Sequence, residues 1–195
     1  MRDYTPESLL LHIVKQMGRI AKALRREDQK DLLRALPRFY IWVVSFCVMY
    51  RIDLEEAVWN KYKGCCPYCG ATEHCSCASN STKPAQWYRN ESVMRPRTVA
   101  EWQEMFRRIY GETNHTLSLT EIGLHLAEEV GEVSEAFYLR ERDGEAPLHY
   151  EIADTIAWLF ALANRLGIDL GALSWEAYPG VCDTCRMREC ACPLV

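Results

Sequence analysis

The chain has 195 residues, 49% hydrophobic, 26% charged and 11% aromatic, a globular composition that argues against disorder and against collagen-like or mucin-like sequence. Its net charge of −4 is unevenly spread: residues 1–97 carry 16 Lys/Arg against 10 Asp/Glu, and residues 98–195 carry 7 against 17. The longest apolar run, Phe39 to Tyr50, falls short of the ~20 residues of a membrane span, and Met1-Arg2-Asp3-Tyr4 opens no signal pattern, so a soluble, cytoplasmic protein is expected.

Strand signals are scarce, while apolar residues recur at i, i+3, i+4 and i+7 over long segments. Thr5 before Pro6 starts a helix predicted over 6–26, and further helices are predicted over 30–50 and 54–62. Asp53-Leu-Glu-Glu56 resembles a capping box at the start of the third. After a Ser-, Asn- and Pro-rich linker over 79–97, the boxes Thr98-Val-Ala-Glu101 and Ser118-Leu-Thr-Glu121 open helices predicted over 98–110 and 119–140. Helices over 147–166 and 170–178 complete an all-α bundle.

Eight of the 10 cysteines form two copies of one pattern, Cys66, Cys69, Cys75, Cys77 and Cys182, Cys185, Cys190, Cys192. Each reads C-x-x-C, a short gap, then C-x-C. Two such hooks suit a tetrahedral ion that prefers sulfur, so two structural Zn²⁺ sites are expected. Disulfides, which need an oxidising compartment, and a redox role are the alternatives. His74 is a substitute ligand for the first cluster. Cys65 reads as a bystander and Cys47 as a core residue. Whether each cluster holds its own ion stays open.

The clusters belong to a longer internal repeat. Leu11, His12, Gly18 and Ala23 match Leu124, His125, Gly131 and Ala136. After a short slip, Trp42, Ile52-Asp53-Leu54, Trp59, Tyr62, Gly64, Cys66 and Cys69 match Trp158, Ile168-Asp169-Leu170, Trp175, Tyr178, Gly180, Cys182 and Cys185. The chain thus divides into a helical unit over 1–63 with a Cys loop over 64–78, the linker, and a second unit over 98–180 with a Cys loop over 181–195.

One unit carries an acidic constellation. Glu129 and Glu132 share one helix face, and Glu151 and Asp154 share another. If those helices are antiparallel neighbours, four carboxylates converge beside apolar residues and need a divalent cation, Mg²⁺ or Mn²⁺. The plain alternative is a solvated acidic face. In the other unit the same positions hold Gln16, Arg19, Ala35 and Arg38, which differs from surface drift.

The E-x-x-E…E-x-x-D pair resembles the MazG family of all-α nucleoside triphosphate pyrophosphohydrolases. The resemblance rests on His125-Leu-Ala-Glu-Glu-Val-Gly-Glu-Val133, Glu151-Ile-Ala-Asp154, and Ala163-Asn-Arg-Leu-Gly-Ile-Asp169. Trp102-Gln-Glu-Met-Phe106 is similar to members ending in a Cys cluster. It covers about residues 98–192 well and 5–77 as a degenerate copy. The resemblance implies Mg²⁺ held by Glu129, Glu132, Glu151 and Asp154, and cleavage of NTPs or dNTPs to NMP and pyrophosphate. Glu128 is the candidate base for the attacking water.

The chain departs from the family where Lys and Asn often contact phosphate: Ala172-Leu-Ser-Trp-Glu-Ala-Tyr178 has neither, whereas the degenerate unit carries Asn60, Lys61 and Lys63. Since the family assembles as dimers, a fused pseudo-dimer is expected, with Lys15, Arg19, Arg38 and Lys61 as phosphate contacts. Further homodimerisation stays open. Trp102, Phe106 and Trp158 read as core first and base-stacking platforms second. The alternatives are a nucleotide sensor with weak or no catalysis, or a zinc-containing nucleic-acid-binding or scaffold protein using the basic aromatic stretch Lys83 to Arg97, which the acidic half disfavours.

Overall fold

The computed structural model describes residues 4–77, 92–182, 184–188 and 191–192. Among these residues it has seven helices and no strand: α1 (Pro6–Arg25), α2 (Gln29–Met49), α3 (Leu54–Tyr62), α4 (Val99–Thr116), α5 (Leu119–Asp143), α6 (Ala146–Arg165) and α7 (Leu170–Ala177). The all-α expectation holds. Cys190 and most of the basic aromatic stretch, including Lys83, Trp87, Tyr88 and Arg89, lie outside the described residues.

Local chemistry sets the helix starts. Thr98 and Ser118 each accept a hydrogen bond from the backbone N–H of the Glu three residues on, and each Glu carboxylate accepts one from the cap residue's backbone N–H. Thr5 forms the same reciprocal box with Ser8 rather than an acid. Asp28, Asp53 and Asp169 cap α2, α3 and α7 through one side-chain oxygen. Helix α4 runs beyond the predicted end at 110, because tertiary partners cover its last turns: Thr113 Oγ1 donates to Cys75 O, and Arg165 Nη1 donates to Asn114 O and Leu117 O.

Helices α1 and α2 form one hairpin, α5 and α6 a second, and α1 packs against α5. The third helices are exchanged: α3 packs on α6, and α7 packs on α2. All share one apolar core that includes Ile20, Leu36, Phe39, Phe46, Phe106, Ile122, Leu126 and Leu159. Helix α2 is apolar enough to pass for a membrane span by composition, but Leu32, Leu36, Phe39, Val43 and Phe46 are buried in that core. Buried Gln103 ties α4 to the start of α7: its Nε2 donates to Ile168 O at 2.6 Å and its Oε1 accepts from Leu170 N at 3.0 Å.

Backbone detail recurs at repeat-related positions. Gly64 and Gly180 both take left-handed φ, 74° and 73°. Cys66 N donates to Ala71 O at 2.8 Å and Gly70 N to Cys66 O at 2.9 Å; Cys182 N to Met187 O and Arg186 N to Cys182 O repeat the loop at 2.9 Å each. His12 stacks on Trp42 at 4.1 Å, and His125 stacks on Trp158 at 4.3 Å.

Candidate metal centres

The two Cys loops could hold zinc. Four thiolates at ~2.3 Å from a tetrahedral ion stand about 3.8 Å apart, whereas a disulfide is about 2.05 Å. Cys69 and Cys75 sulfurs are 3.7 Å apart, and Cys66 and Cys77 sulfurs 4.0 Å. These four sulfurs all lie within 4.8 Å of one another, as do those of Cys182, Cys185 and Cys192. Cys182 and Cys192 sulfurs are 3.7 Å apart. Backbone donors at Met187 and Ala191 bring the Cys185 thiol down to about 6, which favours the thiolate a metal needs. His74 is not in the first cluster; its Nδ1 pairs with Glu112 at 2.8 Å on the surface. Cys65 is buried outside the cluster, and burial among core residues pushes the Cys47 thiol up to about 12.

The first Cys loop does more than close on itself. Its Cys75 N donates to Ile109 O at 2.7 Å, which docks the loop on α4. Cys66, Cys75, Cys77 and Tyr68 thereby form one wall of a groove of about 300 Å³, whose other walls include Glu129, Asp154 and Trp158.

The acidic centre lies on the α5–α6 hairpin. The connection at Gly144 and Glu145 turns α6 back along α5, so the Glu129/Glu132 face meets the Glu151/Asp154 face. One oxygen each from Glu129, Glu132 and Glu151 lies within 4.8 Å of the others. Glu129 is 9% exposed, and its Oε2 has no hydrogen-bond partner. Burial, then Asp154, Glu132 and Glu151, push its carboxyl up to about 8. Burial pushes Glu151 up to about 7, with Asp154 and Glu132 adding to the rise and Lys61 opposing it. A divalent cation would answer both the orphaned oxygen and the mutual repulsion, so this donor set fits Mg²⁺ or Mn²⁺.

Asp154 stands in a different relation to the site. Lys61 Nζ, on exchanged helix α3, pairs with its Oδ2 and also donates to Tyr150 O at 3.4 Å. Tyr62 OH donates to Asp154 Oδ1 at 2.6 Å. Sequence periodicity places Asp154 beside Glu151 but does not reveal that a lysine nearly a hundred residues upstream would meet it. The only available sign was that Asn60, Lys61 and Lys63 occur where the other unit lacks cations.

The remaining candidates are elsewhere. Glu128 is exposed and turned to His125 Nδ1 at 3.3 Å, apart from the three clustered carboxylates. Lys15, Arg19 and Arg38 line a separate groove between α1 and α2. Trp102 and Phe106 are core residues, whereas half-buried Trp158 reaches the acidic groove. A further groove of about 490 Å³ lies between the first Cys loop and α4; the Glu104–Arg107 ion pair lines it, as do His74 and Glu112, 2.8 Å apart. No protein-family model matches this chain, and no curated protein and no solved structure matches it.

Proposed function

We propose that this chain is a Mg²⁺-dependent nucleoside triphosphate pyrophosphohydrolase of MazG type, built as a fused pseudo-dimer with one acidic and one degenerate unit, and acting in the cytoplasm. The observation that carries the reading is the convergence of Glu129, Glu132 and Glu151, in which nine-tenths buried Glu129 keeps one oxygen without a hydrogen-bond partner. The exchange of α3 and α7 between the two hairpins supports the pseudo-dimer.

Glu129, Glu132 and Glu151 would hold the metal, with Asp154 beside them. Bound there, the ion would neutralise polyphosphate charge and lower the pKa of a water. In the proposed reaction the oxygen of a water would bond to the α-phosphorus as the bond from that phosphorus to the α–β bridging oxygen breaks; pyrophosphate would leave with the bridging oxygen, and the water's proton would pass to solvent. Lys61 and Tyr62 fix Asp154 through opposite oxygens and orient it. Lys61 is buried behind Asp154, where its charge offsets part of the carboxylate repulsion at the centre. Half-buried Trp158 offers a stacking surface for the base in the same groove.

The test is incubation of the purified chain with each NTP and dNTP plus Mg²⁺ or Mn²⁺, read by mass spectrometry. The expected products are NMP and pyrophosphate, lost in Glu132→Gln and Asp154→Asn. NDP and phosphate would overturn the assigned bond. Binding without turnover would move the assignment to a nucleotide sensor.

A further inference from the structure

The second groove is the counterpart of the acidic one with its charge inverted. It lies between α1 and α2, holds about 330 Å³, and is walled on one side by Tyr178 and Thr184 of the opposite half. By the repeat, Gln16 stands where Glu129 stands, Arg38 where Asp154 stands and Tyr178 where Tyr62 stands; all six line their respective grooves. Arg19 replaces Glu132, and Ala35 replaces Glu151. Each groove also carries a Trp stacked on a His.

Among the described residues, three cations, Lys15, Arg19 and Arg38, line this groove, and no carboxylate does. Lys22 and Arg34 extend the basic surface beside it, where Asp31 is the one acid among the described lining residues and is 3.8 Å from Arg34. Buried Gln16, 4% exposed, accepts from Arg19 Nη1 at 3.2 Å and so steers that guanidinium along the groove wall. Burial and Lys15 hold the His12 imidazole below its ordinary pKa, so its stack on Trp42 is a neutral aromatic surface at pH 7. Tyr4 meets both rings edge-on at 5.7 Å. An acidic groove reaches phosphate only through a metal. A groove with arginines in the same places reaches it directly, by charge-assisted hydrogen bonds.

We propose that the α1–α2 groove is a second nucleotide site, binding the phosphate chain of a nucleoside triphosphate without a divalent cation, with the base against the Tyr4–His12–Trp42 aromatic group. The inference does not depend on catalysis at the acidic centre.

The experiment is calorimetric titration of the full chain carrying Glu132→Gln, in buffer free of divalent cations and chelators, with ATP, GTP and inorganic tripolyphosphate. Saturable binding of a nucleotide and weaker binding of tripolyphosphate are expected. Arg19→Gln with Arg38→Gln should weaken nucleotide binding by about tenfold or more, and Lys15→Gln, an exposed change, should weaken it alone. Unchanged zinc content and melting temperature would show that these variants fold. Three outcomes overturn the proposal: no binding without Mg²⁺, unaltered binding in the folded Arg and Lys variants, or a single-stranded oligonucleotide that displaces the nucleotide at far lower phosphate concentration. The last would assign the groove to a nucleic-acid backbone. Failure here leaves turnover at the acidic centre untouched, and the converse also holds.

Discussion

Glu129→Gln isolates the electrostatic cost of the acidic centre. In the folded chain the Glu129 carboxyl is pushed up to about 8 from its ordinary 4.5 by burial and three neighbouring carboxylates. The folded state therefore binds a proton that the unfolded chain has released, and metal-free stability must fall as pH rises from about 4.5 to 8. The full shift corresponds to about 5 kcal/mol, and water reaching the exposed side of the cluster reduces this to about 2 kcal/mol. Glutamine keeps the shape and removes the charge. At pH 8 without divalent ions the variant should melt about 4–8 °C above the parent, and the two should converge near pH 5. Adding Mg²⁺ should raise the parent at pH 8 and raise the variant less, because an amide oxygen brings no negative charge to offset the ion. Melting followed by circular dichroism across pH 5–8.5, with and without Mg²⁺, checks all of this. Parallel curves for parent and variant would refute the idea that Glu129 carries a suppressed charge.

Three further outcomes follow from the same geometry. Lys61→Met strands Asp154 with only Tyr62 and should cost about 3 kcal/mol in the metal-free chain, with Mg²⁺ recovering more stability in the variant than in the parent; thermal melting reads both. Gln103→Met keeps volume but leaves Ile168 O and Leu170 N without their partner, so chemical denaturation should show a loss of about 2–4 kcal/mol. Elemental analysis should find about two zinc ions per chain, and Cys69→Ser should remove about one. Because that loop walls the acidic groove, the same variant should also weaken any nucleotide binding there.

What was legible in the sequence was local. The Thr98 and Ser118 boxes and the Asp53 cap follow from side chains that reach only their own first turn. The shared faces of Glu129 with Glu132 and of Glu151 with Asp154 follow from helical period alone. The partners across the fold were not legible. Periodicity states that Lys61 is near a helix end, but not that α3 would cross to α6 and bury it against Asp154. It groups Lys15, Arg19 and Arg38 by charge, but not in a groove of their own. The end of α4 escaped for the same reason: Arg165, on α6, supplies the donors that cover its last carbonyls.

The exchange of α3 and α7 binds the fates of the two grooves. Each is floored by one hairpin and walled by the other half's terminal segment, so a substitution in α3 is felt at the acidic centre and one near Tyr178 at the basic groove. Neither half of the chain encodes a whole site.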